Sequence, residues 1–190
     1  QPVYLSINEG QAELRSAAHL WGKTTEVVEQ TLREELDDKK LELMQVGPSG
    51  EIGVLYSALM TRSRHASGRT GMGAVFGSKN LKAVVVQGKE KPGVADKESF
   101  KALAQWGVKN FPESDIVTMG TNGTAETAGA NNEWGGFPTY NFNSGVFEDC
   151  EKIDGPAMTE KYLKGAAEGN QNREGRGTCY SCTVRCKRIV

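Results

Sequence analysis

A chain of 190 residues has room for one large or two small domains, and 25% charged residues at a formal net charge of −1 create no global field toward nucleic acid or a membrane surface. No apolar run approaches a bilayer span, and no basic segment followed by an apolar one marks a leader peptide, which predicts a soluble, cytoplasmic protein without a membrane span. The text opens at Gln1 in strand-like PVYLSI and closes in strand-like CKRIV, which predicts a piece of a longer polypeptide.

In chain order, residues 3–7 and 12–15 flank the turn text NEGQ and predict a hairpin with Gly10 at a positive φ. Thr24 or Thr25 can cap a helix whose apolar positions Val28, Leu32 and Leu36 recur every four residues. Its acids read as a solvated face, and His19, among apolar neighbours, reads as a packed histidine. Residues 41–46 return to strand, GPSGE reads as a loop, and the apolar run 52–60 fits neither period. A glycine-rich basic segment, RSRHASGRTGMGAVFGSKNLKA, then leads into a strand at 82–87.

The stretch GKEKPGVAD combines charge, proline and glycine without apolar periodicity and marks a domain boundary, giving domains 1–92 and 93–190. Asp96 can cap a helix running to Val108, with Phe100, Leu103, Ala104 and Trp106 or Val108 on its buried side. Trp21, Trp106 and Trp134 read as core or interface residues. Residues 120–145 are rich in Gly and Asn and poor in branched aliphatics, as in text that wraps a ligand or packs against other parts of a protein. Residues 159–167 suggest a short helix.

Two nucleotide motifs fail in the glycine-rich segment. A Walker A loop needs Gly-Lys-Ser/Thr, whereas Gly77 is followed by Ser78, Lys79 and Asn80; a dinucleotide fingerprint needs G-x-G-x-x-G, whereas Gly71 to Gly77 reads G-x-G-x-x-x-G. The physical content remains: glycines admit close approach of backbone N–H groups to an anion, and Arg64, Arg69, Lys79 and Lys82 can neutralise it. The plain alternative is a glycine-rich connection with surface cations.

Cys179, Cys182 and Cys186 are spaced C-x2-C-x3-C, so three thiolates can converge from one turn or short helix. Zinc would take Cys150 as its fourth ligand; an iron–sulfur cluster would also need a fourth, often supplied from far along a chain. Arg185, Lys187 and Arg188 would offset thiolate charge in either case. Clustering of cysteines argues for metal in a reducing compartment over a disulfide framework.

Taken in order, HASGRTGMGAVFGSKNLKAVVV, GGFPTYNF and CYSCTVRCKR, with HLWGKTTE and VGPSGE upstream, resemble the tungsten-containing aldehyde:ferredoxin oxidoreductases over essentially the whole chain. The resemblance implies an α+β fold, with a β-sheet pterin-binding domain, partial here, followed by the start of a mainly helical domain that carries the cluster cysteines. It implies a tungsten or molybdenum ion held by two pterins, a magnesium ion bridging the pterin phosphates, and a 4Fe–4S cluster beside the pterin. Position by position, His65, Ala66, Gly68 and Arg69 become the pterin contacts, with His65 standing where many relatives carry Arg and Arg64 next to it. Cys179, Cys182 and Cys186 become three cluster ligands, while the fourth cysteine, the active-site acid and histidine, and a second pterin motif are expected downstream. Cys150 receives no metal. The implied reaction is two-electron oxidation of an aldehyde to a carboxylic acid, with electrons leaving singly through the cluster to ferredoxin or an iron–sulfur electron-transfer subunit in a homo- or hetero-oligomer. A relative acting as a tungsten-dependent aromatic thioester reductase is the runner-up, and a zinc-stabilised four-cysteine binding module gripping nucleic acid or a nucleotide is the competitor from another class.

Overall fold

The computed structural model describes residues 1–90, 92–169, 174–179, 182 and 184–190. It divides the chain into two units, Gln1–Pro92 and Gly93–Val190. The fold is α+β, with a sheet in the first unit and mainly helices in the second.

In the first unit, β1 (Val3–Asn8) and β2 (Gln11–Ser16) pair as a hairpin. Glu9 at φ 45° and Gly10 at φ 83° both lie in the left-handed region, the condition for a two-residue turn that follows strand twist. Next come α1 (Thr25–Glu35), β3 (Glu42–Val46), α2 (Pro48–Glu51), β4 (Leu59–Thr61), β5 (His65–Ser67), α3 (Met72–Ser78) and β6 (Leu81–Gln87). The strands form one sheet in the order β2-β1-β6-β3-β4-β5, parallel only between β1 and β6. GPSGE is therefore not a loop but mostly the short helix α2, with Pro48 at its start, where a missing N–H costs nothing. The ambiguous run 52–60 resolves into turns followed by β4, leaving Ile52, Leu55 and Tyr56 more than 80% exposed.

One sheet face carries the core. Tyr4, Leu43, Ala83 and Val85 pack with Val28 and Leu32 of α1 and with Ala17, Leu20 and Leu41, and Leu36 adds to the edge. Each large apolar side chain so buried contributes roughly 1.5–3 kcal/mol. Directly paired residues share a face, so Leu5, Leu14, Val84, Met44, Ile7 and Val86 line the opposite one, where Leu14, Met44 and Val86 remain exposed.

His19 is not packed. It lies exposed with Nε2 2.9 Å from Glu35 Oε2, because Glu35 also accepts from the Tyr4 hydroxyl at 2.7 Å and draws the ring to the rim. Burial, then this bond to Glu35, raises the Tyr4 phenol above its ordinary pKa.

The second unit begins with α4 (Lys97–Asn110), whose first turn is capped by Asp96 accepting from the N–H groups of Glu98 and Ser99. Its expected buried side is exposed: Phe100, Leu103, Trp106 and Val108 all show 61–67% of their surface. Local periodicity marks an apolar face but not its partner, and no partner covers this one among the described residues. Trp134 is also exposed. A 3-10 turn (Phe111–Glu113), α5 (Val117–Asn122), a second such turn (Gly123–Glu126) and α6 (Thr127–Glu133) follow. After a third (Cys150–Lys152), α7 (Gly155–Ala157) runs into a π-turn (Met158–Tyr162), so the helix expected at 159–167 starts earlier and ends sooner. The strands β7 (Arg176–Gly177) and β8 (Lys187–Arg188) pair antiparallel. No helix among the described residues is long and apolar enough to cross a membrane.

Candidate functional site

The segment 59–69 is built as β4, a reversal and β5, with β5 at the edge of the sheet. Arg62 (φ 52°) and Ser63 (φ 49°) make the reversal. Two neighbours hold it: Arg62 forks onto Glu42 of β3, with Nε 3.1 and 3.0 Å from its two oxygens, and the Ser63 hydroxyl donates to Glu29 of α1 at 2.7 Å. Arg62 holds the Glu42 carboxyl below the usual range, with burial opposing. Glu29 also pairs with Arg33 at 2.8 Å. The acids of α1 are thus not simply a solvated face, since Glu29 braces the turn that precedes HASGR.

His65 is half-buried and pairs with Thr61, which pairs through β4 with Met44, so it stands in the row of the uncovered sheet face. Ala66, Gly68 and Arg69 are exposed. A Cβ added to Gly68 would meet nothing within 4 Å, and no positive φ requires glycine there. Its missing side chain therefore serves neither packing nor backbone strain and leaves bare main chain open to an incoming group.

The glycines that follow do the opposite. A Cβ at Gly77 would lie 1.9 Å from the Gly50 carbonyl oxygen, one at Gly73 2.6 Å from Ser57 Oγ, and one at Gly71 2.0 Å from the Leu55 carbonyl oxygen. They let α3 settle onto α2 and the loop after it, so these glycines serve packing.

Lys82 must be removed from the candidate phosphate cations. Between Val3 and Tyr4 the β1–β6 register skips it, and this bulge turns Lys82 inward beside the equally buried Ala83. There its ammonium donates to Glu51 and to the Lys23 carbonyl at 3.1 Å, while Gly22 N–H donates to the second Glu51 oxygen at 2.7 Å. Arg69 and Lys79 are exposed and have no carboxylate partner among the described residues. Glu51 and its buried role escaped sequence reading, because pairing across 31 positions leaves no local signal.

In the second unit Cys182 N–H donates to the Cys179 carbonyl at 3.2 Å, closing a turn, and the Thr178 hydroxyl lies within 3.0 Å of both cysteines' carbonyl oxygens. Cys179 is exposed and Cys182 and Cys186 half-buried, and none of them is in a disulfide. Tyr180, Ser181 and Thr183 lie outside the described residues. No three His, Cys, Asp or Glu side chains among the described residues are grouped as a metal site. Cys150 is buried in the turn beneath Phe147, apart from any such group, which leaves the four-cysteine zinc arrangement unsupported. The exit from Cys186 is anchored: a Cβ on Gly123 would lie 2.6 Å from the Cys186 carbonyl oxygen, and Arg188 bonds to carbonyls of α5.

Comparison with known proteins adds the following. A family model described as the N-terminal domain of aldehyde ferredoxin oxidoreductase matches residues 1–88, and one described as domains 2 and 3 of the same family matches residues 102–190. The tungsten-containing aldehyde ferredoxin oxidoreductase of Thermococcus kodakarensis is 37% identical over all of this chain and 30% of its own length. That of Pyrococcus abyssi is 38% identical over 99% of this chain and 30% of its own. The chain thus spans about 30% of the length of these curated relatives. Among solved structures, the active-site complex BamBC of benzoyl coenzyme A reductase in complex with 1,5 dienoyl-CoA matches at TM-score 0.66 and 25% identity, over 98% of this chain and 29% of that one.

Proposed function

This chain belongs to the aldehyde ferredoxin oxidoreductase family, and on that premise we propose that it forms part of a tungsten-dependent enzyme that oxidises aldehydes to carboxylic acids. The observation that carries the reading is the match of both family models, in order, across a chain whose sequence carries HASGR and C-x2-C-x3-C in that order. When bound, a bis-pterin tungsten or molybdenum centre supplies two-electron chemistry, and a 4Fe–4S cluster passes the electrons on singly.

The residues of the first unit suit the pterin. Gly68 offers open main chain, Arg69 beside it has no carboxylate partner among the described residues, and His65 and Ala66 precede them on an edge strand. These four would hold the pterin phosphates, Arg69 supplying a guanidinium fork and a magnesium ion offsetting the remaining phosphate charge. Cys179, Cys182 and Cys186 are the donor type that iron–sulfur clusters take and would be three of the ligands, although the described residues do not group them as a metal site. Ferredoxin or an iron–sulfur subunit, in a cytoplasmic homo- or hetero-oligomer, would receive the electrons.

The full-length polypeptide, purified anaerobically, should be brown, with about four iron atoms per polypeptide and tungsten or molybdenum by elemental analysis. Cys182→Ala should lose iron, whereas Arg69→Ala should keep iron and lose tungsten. Colourless protein with stoichiometric zinc overturns the proposal. The BamBC likeness supports a second reading, reduction of an aromatic thioester. Turnover of an aryl-CoA with none of any aldehyde would select it.

A further inference from the structure

We propose that Glu29 and Glu42 are positioning residues for the segment HASGR, holding through Ser63 and Arg62 the strained turn from which it departs. This rests on the reading of HASGR as the contact for the pterin phosphates.

The turn is made of residues that its backbone does not favour. Arg62 (φ 52°) and Ser63 (φ 49°) are consecutive and left-handed, at the tip of the hairpin in which β4 pairs with β5. Such central positions favour Asn-Gly, glycine because it has no Cβ and asparagine because its side chain tolerates the left-handed region. Arginine and serine have neither advantage. They have instead side chains that reach acids on two other elements. Arg62 Nε lies 3.1 and 3.0 Å from the two Glu42 oxygens on β3, and Ser63 Oγ donates to Glu29 Oε2 on α1 at 2.7 Å. Glu29 is itself held, since its other oxygen accepts from Arg33 Nε at 3.2 Å and Nη2 at 2.8 Å, one turn along α1. Strain kept where a better local alternative exists, by residues that each make a specific long-range bond, points to function.

No apolar packing substitutes for these bonds. A groove of about 560 Å³ runs between α1 and the turn, and every side chain lining it is polar or charged. β5 is the last strand of the sheet and pairs with β4 alone. The exit of the segment is fixed by other means. Thr70 (φ 69°) and Gly71 (φ 67°) form a second left-handed pair, Gly71 backs onto the Leu55 carbonyl, and Gly73 N–H donates to the Ser57 carbonyl at 3.0 Å. Residues 64–69 therefore run between two fixed ends, with Gly68 and Arg69 exposed between them.

A binding segment held in place before its ligand arrives loses less freedom on binding. Releasing the entrance should weaken pterin retention even where it leaves the fold intact. The Arg62–Glu42 pair is half exposed and so adds little stability, which makes the two effects separable.

The test uses the full-length polypeptide with its cofactors and follows tungsten and pterin lost on dialysis, with iron content and denaturation midpoint alongside. The double variant Arg62→Asn, Ser63→Gly gives the turn the residues its backbone prefers; it should hold or raise the midpoint yet lose tungsten about tenfold faster. Side chains that served the fold alone would show no such loss. Wild-type retention in this variant, while Arg69→Ala sheds tungsten, overturns the proposal and leaves the pterin reading intact. Ser63→Asn suits the left-handed backbone and keeps a donor for Glu29, so it should hold tungsten more firmly than Ser63→Gly, and Glu29→Ala should lose tungsten as Ser63→Gly does. If the midpoint of the double variant falls, the two single variants at position 63 decide, and equal loss from them overturns the proposal. Wild-type protein whose tungsten Arg69→Ala does not loosen removes the reading of HASGR itself, and the proposal with it.

Discussion

Glycines in one motif divide by what surrounds them. Gly77 meets the Gly50 backbone at a distance no Cβ tolerates, while Gly68 faces open space. Gly77→Ala should therefore destabilise the protein by about 1–3 kcal/mol through overpacking, read as a lower denaturation midpoint. Gly68→Ala should change stability by no more than about 0.5 kcal/mol, yet, on the proposed role of Gly68, reduce tungsten retention by placing a methyl where the phosphate would approach. Equal effects of both on stability would contradict the division. Lys82 shows the same dependence on surroundings: with 0% of its side chain exposed and 3% of Glu51's, the pair is a buried one. Lys82→Met leaves the Glu51 carboxylate without its cation and should cost about 3–5 kcal/mol, while the additional Glu51→Met change should recover most of it. Recovery absent from the double variant would show that the pair is not energetically coupled.

Helix α4 illustrates what one element can and cannot carry. Its start is local chemistry, for Asp96 accepts from the Ser99 hydroxyl at 2.6 Å and from two backbone N–H groups. These bonds, the Ser99 hydroxyl first, hold the Asp96 carboxyl below its usual pKa. A depressed folded value means the cap's contribution is complete above the ordinary carboxylate pKa and is lost as pH falls through the folded one. Exchange of the Glu98 and Ser99 amides should accelerate, relative to intrinsic rates, over that acidic range, and Asp96→Ala should abolish the pH dependence. A pH-independent ratio in the wild type would refute the cap. The apolar row Phe100, Leu103 and Trp106 is equally local in sequence, yet it faces outward. Exposed apolar rows of this kind mark contact surfaces.

Across the whole molecule the two units differ in how they hold together. The first has a continuous apolar cluster between α1 and the sheet, clamped by Lys82 and Glu51. In the second, the buried apolar side chains among the described residues are Cys150, Ala157 and Leu163. Close backbone approach replaces much of a core there: a Cβ on Gly155 would lie 2.8 Å from Asn122 Cβ, and one on Gly175 2.4 Å from Leu163 Cγ. Arg188 and its four carbonyls belong to this economy of polar fastening. The cysteine turn is thus set in a region where few apolar contacts would hold it.

By itself the sequence determined the elements whose causes lie within a few residues: the NEGQ hairpin, the α1 stripe of Val28 and Leu32, and the Asp96 cap. The order of its motifs also determined the family, and with it the α+β class, since HASGR and C-x2-C-x3-C are each a short contiguous run of text. Only the tertiary structure decided which glycines pack and which lie open, that a bulge turns Lys82 inward onto Glu51, and that Arg176 faces Arg188. The reason is range. Periodicity and capping are set by neighbours along the chain, whereas burial, charge pairing and close approach depend on residues that only the fold brings near.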